Sequence, residues 1–136
     1  MAAQDLCVAR QVLDEMRAHA HGAKPSECCG VLLGAAGKVV EAVPAPNLAR
    51  DPNRFLIDPQ VHIAALRAGR VRGVEVVGFY HSHPHSPAQP SARDLAEAAY
   101  PGHLYAIVSL LDEPAEIRFY RFERAEFLSV PYVTVS

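Results

Sequence analysis

The segment Phe79-Tyr-His-Ser-His-Pro-His-Ser-Pro-Ala-Gln-Pro-Ser-Ala-Arg-Asp94 gathers the sequence's best candidates for metal ligands. On an extended chain alternate side chains share a side, so His81 and His83 project together while Ser82 faces away. Pro84 cannot donate to a ladder and ends the strand. The loop then returns to a helix whose first turn carries Asp94. Two imidazole nitrogens and one carboxylate oxygen, with a fourth position left for water, form the ligand set of a catalytic zinc site. Other first-row metals can replace zinc in such a set in vitro. Water bound there would have its pKa lowered to roughly 7.

Taken singly, neither half of this pattern is specific. A histidine pair at a strand end is often merely solvated, and Ser91-x-x-Asp94 reads equally well as a helix capping box. Their joint occurrence, in this order and spacing, points to a metal. His85 follows His83 across Pro84 and is not expected to be a ligand. His19, His21, His62 and His103 read as surface or helix-end residues. Cys28 and Cys29 read as packing, because a thiol nucleophile needs a histidine base that the neighbouring sequence does not supply. Arg93 faces either solvent or substrate, and the sequence does not choose between them.

The elements that must hold these residues follow from pattern. Val8, Val12, Leu13 and Met16 mark one stripe of a helix from about Val8 to His21, stopped by Gly22. Cys28–Leu33 is a buried strand, Gly34–Gly37 a turn, and Lys38–Val43 the returning strand. Pro44–Pro52 is a loop. Arg54–Ile57 reads as a short strand, and Asp58-Pro59 opens a helix that runs to about Arg67 and stops at Gly69. Val74–His81 is β-branched and aromatic, as a central strand should be. A helix from near Ser91 to Pro101-Gly102 and strands at Leu104–Leu111, Glu116–Glu123 and Phe127–Val133 complete the chain. The sum is one α/β domain over residues 1–136, a mixed β-sheet flanked by helices.

The composition fits such a domain: half of the 136 residues are hydrophobic and 21% are charged. A net charge of −2 with scattered arginines gives no footprint for nucleic acid. No apolar run is long enough to cross a bilayer, and polar residues interrupt Met1–Ala20, unlike a signal peptide. Three cysteines make no disulfide framework, so a cytoplasmic location is expected.

The metal segment resembles the motif of the JAMM (MPN-plus) metalloproteases: His-Ser/Thr-His-Pro, a short loop, then Ser-x-x-Asp. The matching residues are His81, Ser82, His83, Pro84, Ser91 and Asp94. The family's upstream glutamate, ahead of a Cys-Gly-Leu/Val-Leu-Leu-Gly-like strand, is matched by Glu27-Cys-Cys-Gly-Val-Leu-Leu-Gly34. Phe55-Leu-Ile-Asp-Pro59 resembles its middle strand and helix start, so the likeness covers nearly the whole chain.

The resemblance implies a JAMM/MPN fold of the cytidine-deaminase-like kind and one Zn2+ held by His81, His83 and Asp94. It implies Glu27 as general base, later protonating the leaving amine, and Ser91 as a donor to the oxyanion. The implied activity is a metallopeptidase cutting after the C-terminal Gly-Gly of a ubiquitin-like or sulfur-carrier protein. The likeness is to the stand-alone prokaryotic members, some of which release a residue such as cysteine from a carrier. A deubiquitinase-like isopeptidase is the alternative. A non-catalytic MPN scaffold typically lacks the ligands this chain retains, and the RadC-like DNA-repair group usually has Asn in place of Ser82.

Overall fold

The computed structural model describes residues 5–136, so the first four residues of the polar stretch Met1–Ala20 lie outside the described residues. The order of elements is β1 (Leu6–Ala9), α1 (Arg10–Ala23), β2 (Cys29–Ala35), β3 (Lys38–Ala45), α2 (Pro59–Arg72), β4 (Glu75–His83), α3 (Ala92–Glu97), β5 (Leu104–Ser109), β6 (Glu116–Glu123), β7 (Glu126–Val130) and β8 (Tyr132–Val135). The strands form one mixed sheet in the order β7-β6-β5-β4-β2-β3-β1-β8. β4 pairs parallel with β5, and β1 pairs parallel with both β3 and β8; the other pairs are antiparallel. The two edge strands are joined through Pro131 alone, so the sheet must curl until its edges approach one another.

Each face of the curled sheet buries one helix. Val12, Leu13, Met16 and Ala20 of α1 pack with Leu32, Tyr80, Val108 and Phe119. On the other face Ala65 of α2 packs with Val31, Phe79, Tyr105 and Phe122. Burying each of the larger side chains contributes roughly 1.5–3 kcal/mol. Tyr80 and Phe79 therefore look to opposite sides, and so do the residues that follow them on β4. The mixed sheet flanked by helices is the expected α/β architecture.

Several boundaries differ from the sequence reading, each for a local reason. Val8 belongs to β1 rather than to the first helix, because Leu6–Ala9 pairs with β3 and β8. Gly69 does not stop α2, which continues to Arg72; a side chain at Gly69 would sit 2.5 Å from the Val74 carbonyl. The true stop is Gly73, left-handed at φ 76°. Arg54–Ile57 is not a strand, and it holds only a bridge between Ile57 and Asn47. α3 ends at Glu97, and the Tyr105 hydroxyl accepts from the next amides, Ala99 at 3.4 Å and Tyr100 at 3.2 Å. The expected strand Phe127–Val133 is broken by Pro131 into β7 and β8.

Candidate metal centre

The register of the sheet builds the site. β2 runs antiparallel to β4 with Cys29 opposite His81, so the same register carried back two residues sets Glu27 opposite His83. Directly opposed residues share a face, which places Glu27 beside the histidine pair and sends Cys28 and Ser82 to the other side. That other side is a fastener: the Cys28 amide donates to Ser82 Oγ at 2.8 Å, and the Ser82 amide donates to the Cys28 carbonyl at 3.1 Å. Both residues are buried, so the strand bearing the histidines cannot slip against the residue that follows Glu27.

His81 Nε2, His83 Nε2 and a carboxylate oxygen of Asp94 converge. The two nitrogens are 3.1 Å apart, with His83 3.1 Å from Oδ2 and His81 3.2 Å from Oδ1. Both histidines are buried. His83 Nδ1 donates to the Pro87 carbonyl at 2.8 Å, which turns Nε2 toward the cluster. Asp94 is fixed by its own helix: its amide donates to Ser91 Oγ at 3.0 Å, and its Oδ2 accepts from the Ser91 amide at 2.8 Å. The capping box and the metal motif are thus the same two residues. His85 is exposed and stands outside the cluster.

The electrostatics of the cluster call for a cation. Burial pushes His81 down toward its neutral form. Burial also pulls on His83, but the Asp94 carboxylate and the Pro87 carbonyl outweigh it and hold its pKa up. Burial would raise Asp94, yet hydrogen bonds from both imidazoles hold it well below the usual carboxylate range. With Nδ1 of a neutral His83 committed to Pro87, the lone pair on Nε2 faces the carboxylate, and an added proton or a metal ion reconciles them. Two nitrogens and a carboxylate, all within 4.8 Å of one another, fit a zinc ion in their chemistry.

Glu27 lines a polar groove of about 430 Å³ with Ser91, Arg93 and Asp94. Burial is the main cause that pushes its carboxyl up to about 7, with His83 and Arg93 pulling down against Asp94 and Asp51. Glu27 is clamped through its backbone as well. Its amide donates to the Pro52 carbonyl at 3.0 Å, and its carbonyl accepts from Asn47 Nδ2 at 3.0 Å. Burial pushes the neighbouring thiols of Cys28 and Cys29 up to about 11 and about 12, so neither carries a thiolate near neutrality.

Three residues contribute in ways the sequence reading did not assign individually. Phe55 stacks on His81 with ring centroids 4.3 Å apart and planes 16° from parallel. Asn47 spends both ends of its side chain on this region, donating also to the Arg54 carbonyl at 2.9 Å and accepting from Ala49 and Leu56. Its position after Pro44-Ala-Pro46 was the available signal, since Asn in such a loop commonly satisfies backbone groups. His62, read as a surface residue, instead lies edge-on to Phe79 at 5.2 Å and lines an apolar cavity of about 300 Å³ bordering His81 and Asp94. His19, read the same way, is half-buried, with Nδ1 2.7 Å from the Tyr80 hydroxyl.

A family model described as prokaryotic homologs of the JAB domain matches residues 9–123. The chain is 39% identical over 116 residues to the desampylase of Haloferax volcanii, covering 80% of this chain and 84% of that one. It is 33% identical over 119 residues to the CysO-cysteine peptidase of Mycobacterium tuberculosis, covering 85% and 82%. The crystal structure of a JAB1/MPN domain protein from Archaeoglobus fulgidus shares its fold, with a TM-score of 0.68 at 22% identity over 98% of this chain and 100% of that one.

Proposed function

The chain belongs to the family of prokaryotic homologs of the JAB domain, and from that premise we propose that it is a zinc peptidase. The bond it hydrolyses is the peptide or isopeptide bond after the C-terminal Gly-Gly of a ubiquitin-like or sulfur-carrier protein. One observation carries this reading: His81, His83 and Asp94 converge on one point with Glu27 held beside them by the β2–β4 register. The relatives add the substrate class, since one is named a desampylase and another a CysO-cysteine peptidase.

His81, His83 and Asp94 would hold the zinc ion, which when bound polarises a carbonyl and acidifies water. Glu27 takes a proton from the attacking water and gives it to the leaving nitrogen; a carboxyl with a pKa of about 7 suits both transfers. Ser91 Oγ already accepts the Asp94 amide, so its own proton is free to meet the oxyanion. The ion pairs Arg54–Glu97 and Arg93–Asp51 link the loop after Asn47 to α3.

The test is to incubate the zinc-loaded protein with a ubiquitin-like carrier bearing a Gly-Gly–cysteine end, following cysteine release by mass spectrometry. Glu27→Gln and a chelator serve as controls. If neither this adduct nor an isopeptide-linked conjugate is cut, the reading fails. A second reading, an isopeptidase of protein conjugates, is favoured by the likeness to the desampylase. Cleavage of isopeptide-linked conjugates without cleavage of the adduct would select it.

A further inference from the structure

Phe55, Asp94 and Glu97 border two cavities that meet at the metal cluster, and the two differ in kind. One is the apolar cavity lined by Phe79, His62 and Tyr100, which carries no arginine or lysine. The other is the polar groove that holds Glu27 and Ser91 together with Arg54 and Arg93. Because Glu27 must reach the leaving nitrogen to protonate it, the leaving group belongs in the groove Glu27 lines. The acyl side of the substrate is then left to the apolar cavity.

The two arginines of the groove are not equivalent. Arg54 is engaged, with its Nη2 2.9 Å from Glu97 Oε1. Arg93 has only a loose ion pair, 3.9 Å from Asp51, and both partners are about half exposed. Arg93 and Glu27 nevertheless line the same groove, together with Ser91 and Asp94. An α-amino acid released from a linear peptide bond carries its carboxylate two bonds beyond the scissile nitrogen. A lysine side chain released from an isopeptide bond carries no anion there.

We propose that Arg93 binds the α-carboxylate of a single leaving amino acid, making the groove a subsite for C-terminal residues attached by a linear peptide bond. This rests on the reading of the protein as a Gly-Gly peptidase and specifies its leaving group. Arginine meets a carboxylate with two parallel N–H donors, which a surface lysine cannot do, and an exposed pair of this kind still discriminates between a charged and a neutral end.

The experiment separates binding from turnover. Metal-depleted protein, which cannot hydrolyse the probes, is titrated by calorimetry with ubiquitin extended by one alanine after its Gly-Gly end. One probe is the free acid and the other its C-terminal amide. The acid is expected to bind about tenfold more tightly, a difference of about 1.4 kcal/mol. Arg93→Gln should bind both alike, and Arg93→Lys should restore part of the preference. Equal binding of acid and amide by the unaltered protein, no binding of either, or a preference that survives Arg93→Gln overturns the subsite. If the preference is present but zinc-loaded protein cuts neither probe nor a lysine isopeptide of ubiquitin, the subsite stands and the peptidase reading fails.

Discussion

The side-chain amide of Asn47 donates to the main-chain carbonyl of Glu27 at 3.0 Å, tying the loop that follows β3 to the chain two residues before β2. Pro52, from the same loop, accepts the Glu27 amide at 3.0 Å. Glu27 lies just outside β2, so these two bonds hold its backbone where the β2–β4 register, carried past the end of the strand, sets it. The same loop delivers Phe55 onto His81. One asparagine therefore organises the backbone of Glu27 and the approach of the ring that stacks on His81.

Asn47→Ala is expected to lower kcat by about 10- to 100-fold, the size of effect seen when the support of a reacting group is loosened. Zinc content, measured by elemental analysis, should stay near one ion per chain, because His81, His83 and Asp94 keep their own supports. Loss of zinc with the mutation would place Asn47 in the upkeep of the ligands instead.

Ser82→Ala tests the fastener on the opposite face. It leaves the buried Cys28 amide without its acceptor, at a cost of about 1–3 kcal/mol. The urea midpoint should fall accordingly, and Ser82→Thr, which keeps the hydroxyl, should recover most of the loss. An unchanged midpoint in Ser82→Ala would show that the amide finds another partner.

Metal removal has a stability signature of its own. A ligand that binds only the folded chain raises the melting temperature with its concentration. Zinc should therefore raise the melting temperature of the chelated protein, and this rise should vanish in His83→Ala. A rise of equal size in the variant would mean that zinc is held elsewhere.

His19 supplies a pH dependence remote from the ligands. Burial lowers its pKa from the ordinary 6.5, and it faces the Tyr80 hydroxyl from α1. Glu15, four residues away on the same helix, also acts on Tyr80. Below pH 6.5 the unfolded chain takes up a proton that the folded chain resists. The contribution of His19 is thus complete above that pH and is lost as the pH falls toward the folded-state value. Urea midpoints measured from pH 7 to pH 5 should fall less steeply in His19→Gln than in the unaltered protein; parallel curves would refute the assignment.

The metal cluster was legible from its residues because the pieces are local. His81 and His83 need only a strand's alternation, and Ser91 with Asp94 needs only the first turn of a helix. Glu27 was legible only through the family motif, since its place beside His83 depends on the β2–β4 register, which no local pattern states. The individual contacts of Asn47 and Phe55 depend on how the loop after β3 folds back onto Glu27 and His81, which no local pattern states. Gly69 and Pro131 misled in opposite ways: the glycine marks a close helix–strand approach inside α2, and the proline sends one expected strand to two edges of the sheet.

The pairing of β1 with β8 brings residues 6–9 against residues 132–135. That ladder closes a loop almost as long as the chain, whereas the ligands and Glu27 sit on contacts that span far shorter stretches. Loop closure of this length is slow and comes late in folding. During synthesis the part of the sheet that carries His81 and His83 can therefore assemble before β8 is made. Its seam waits for β8 to be made, and until then the outer edge of β1 stays open to a strand from another molecule.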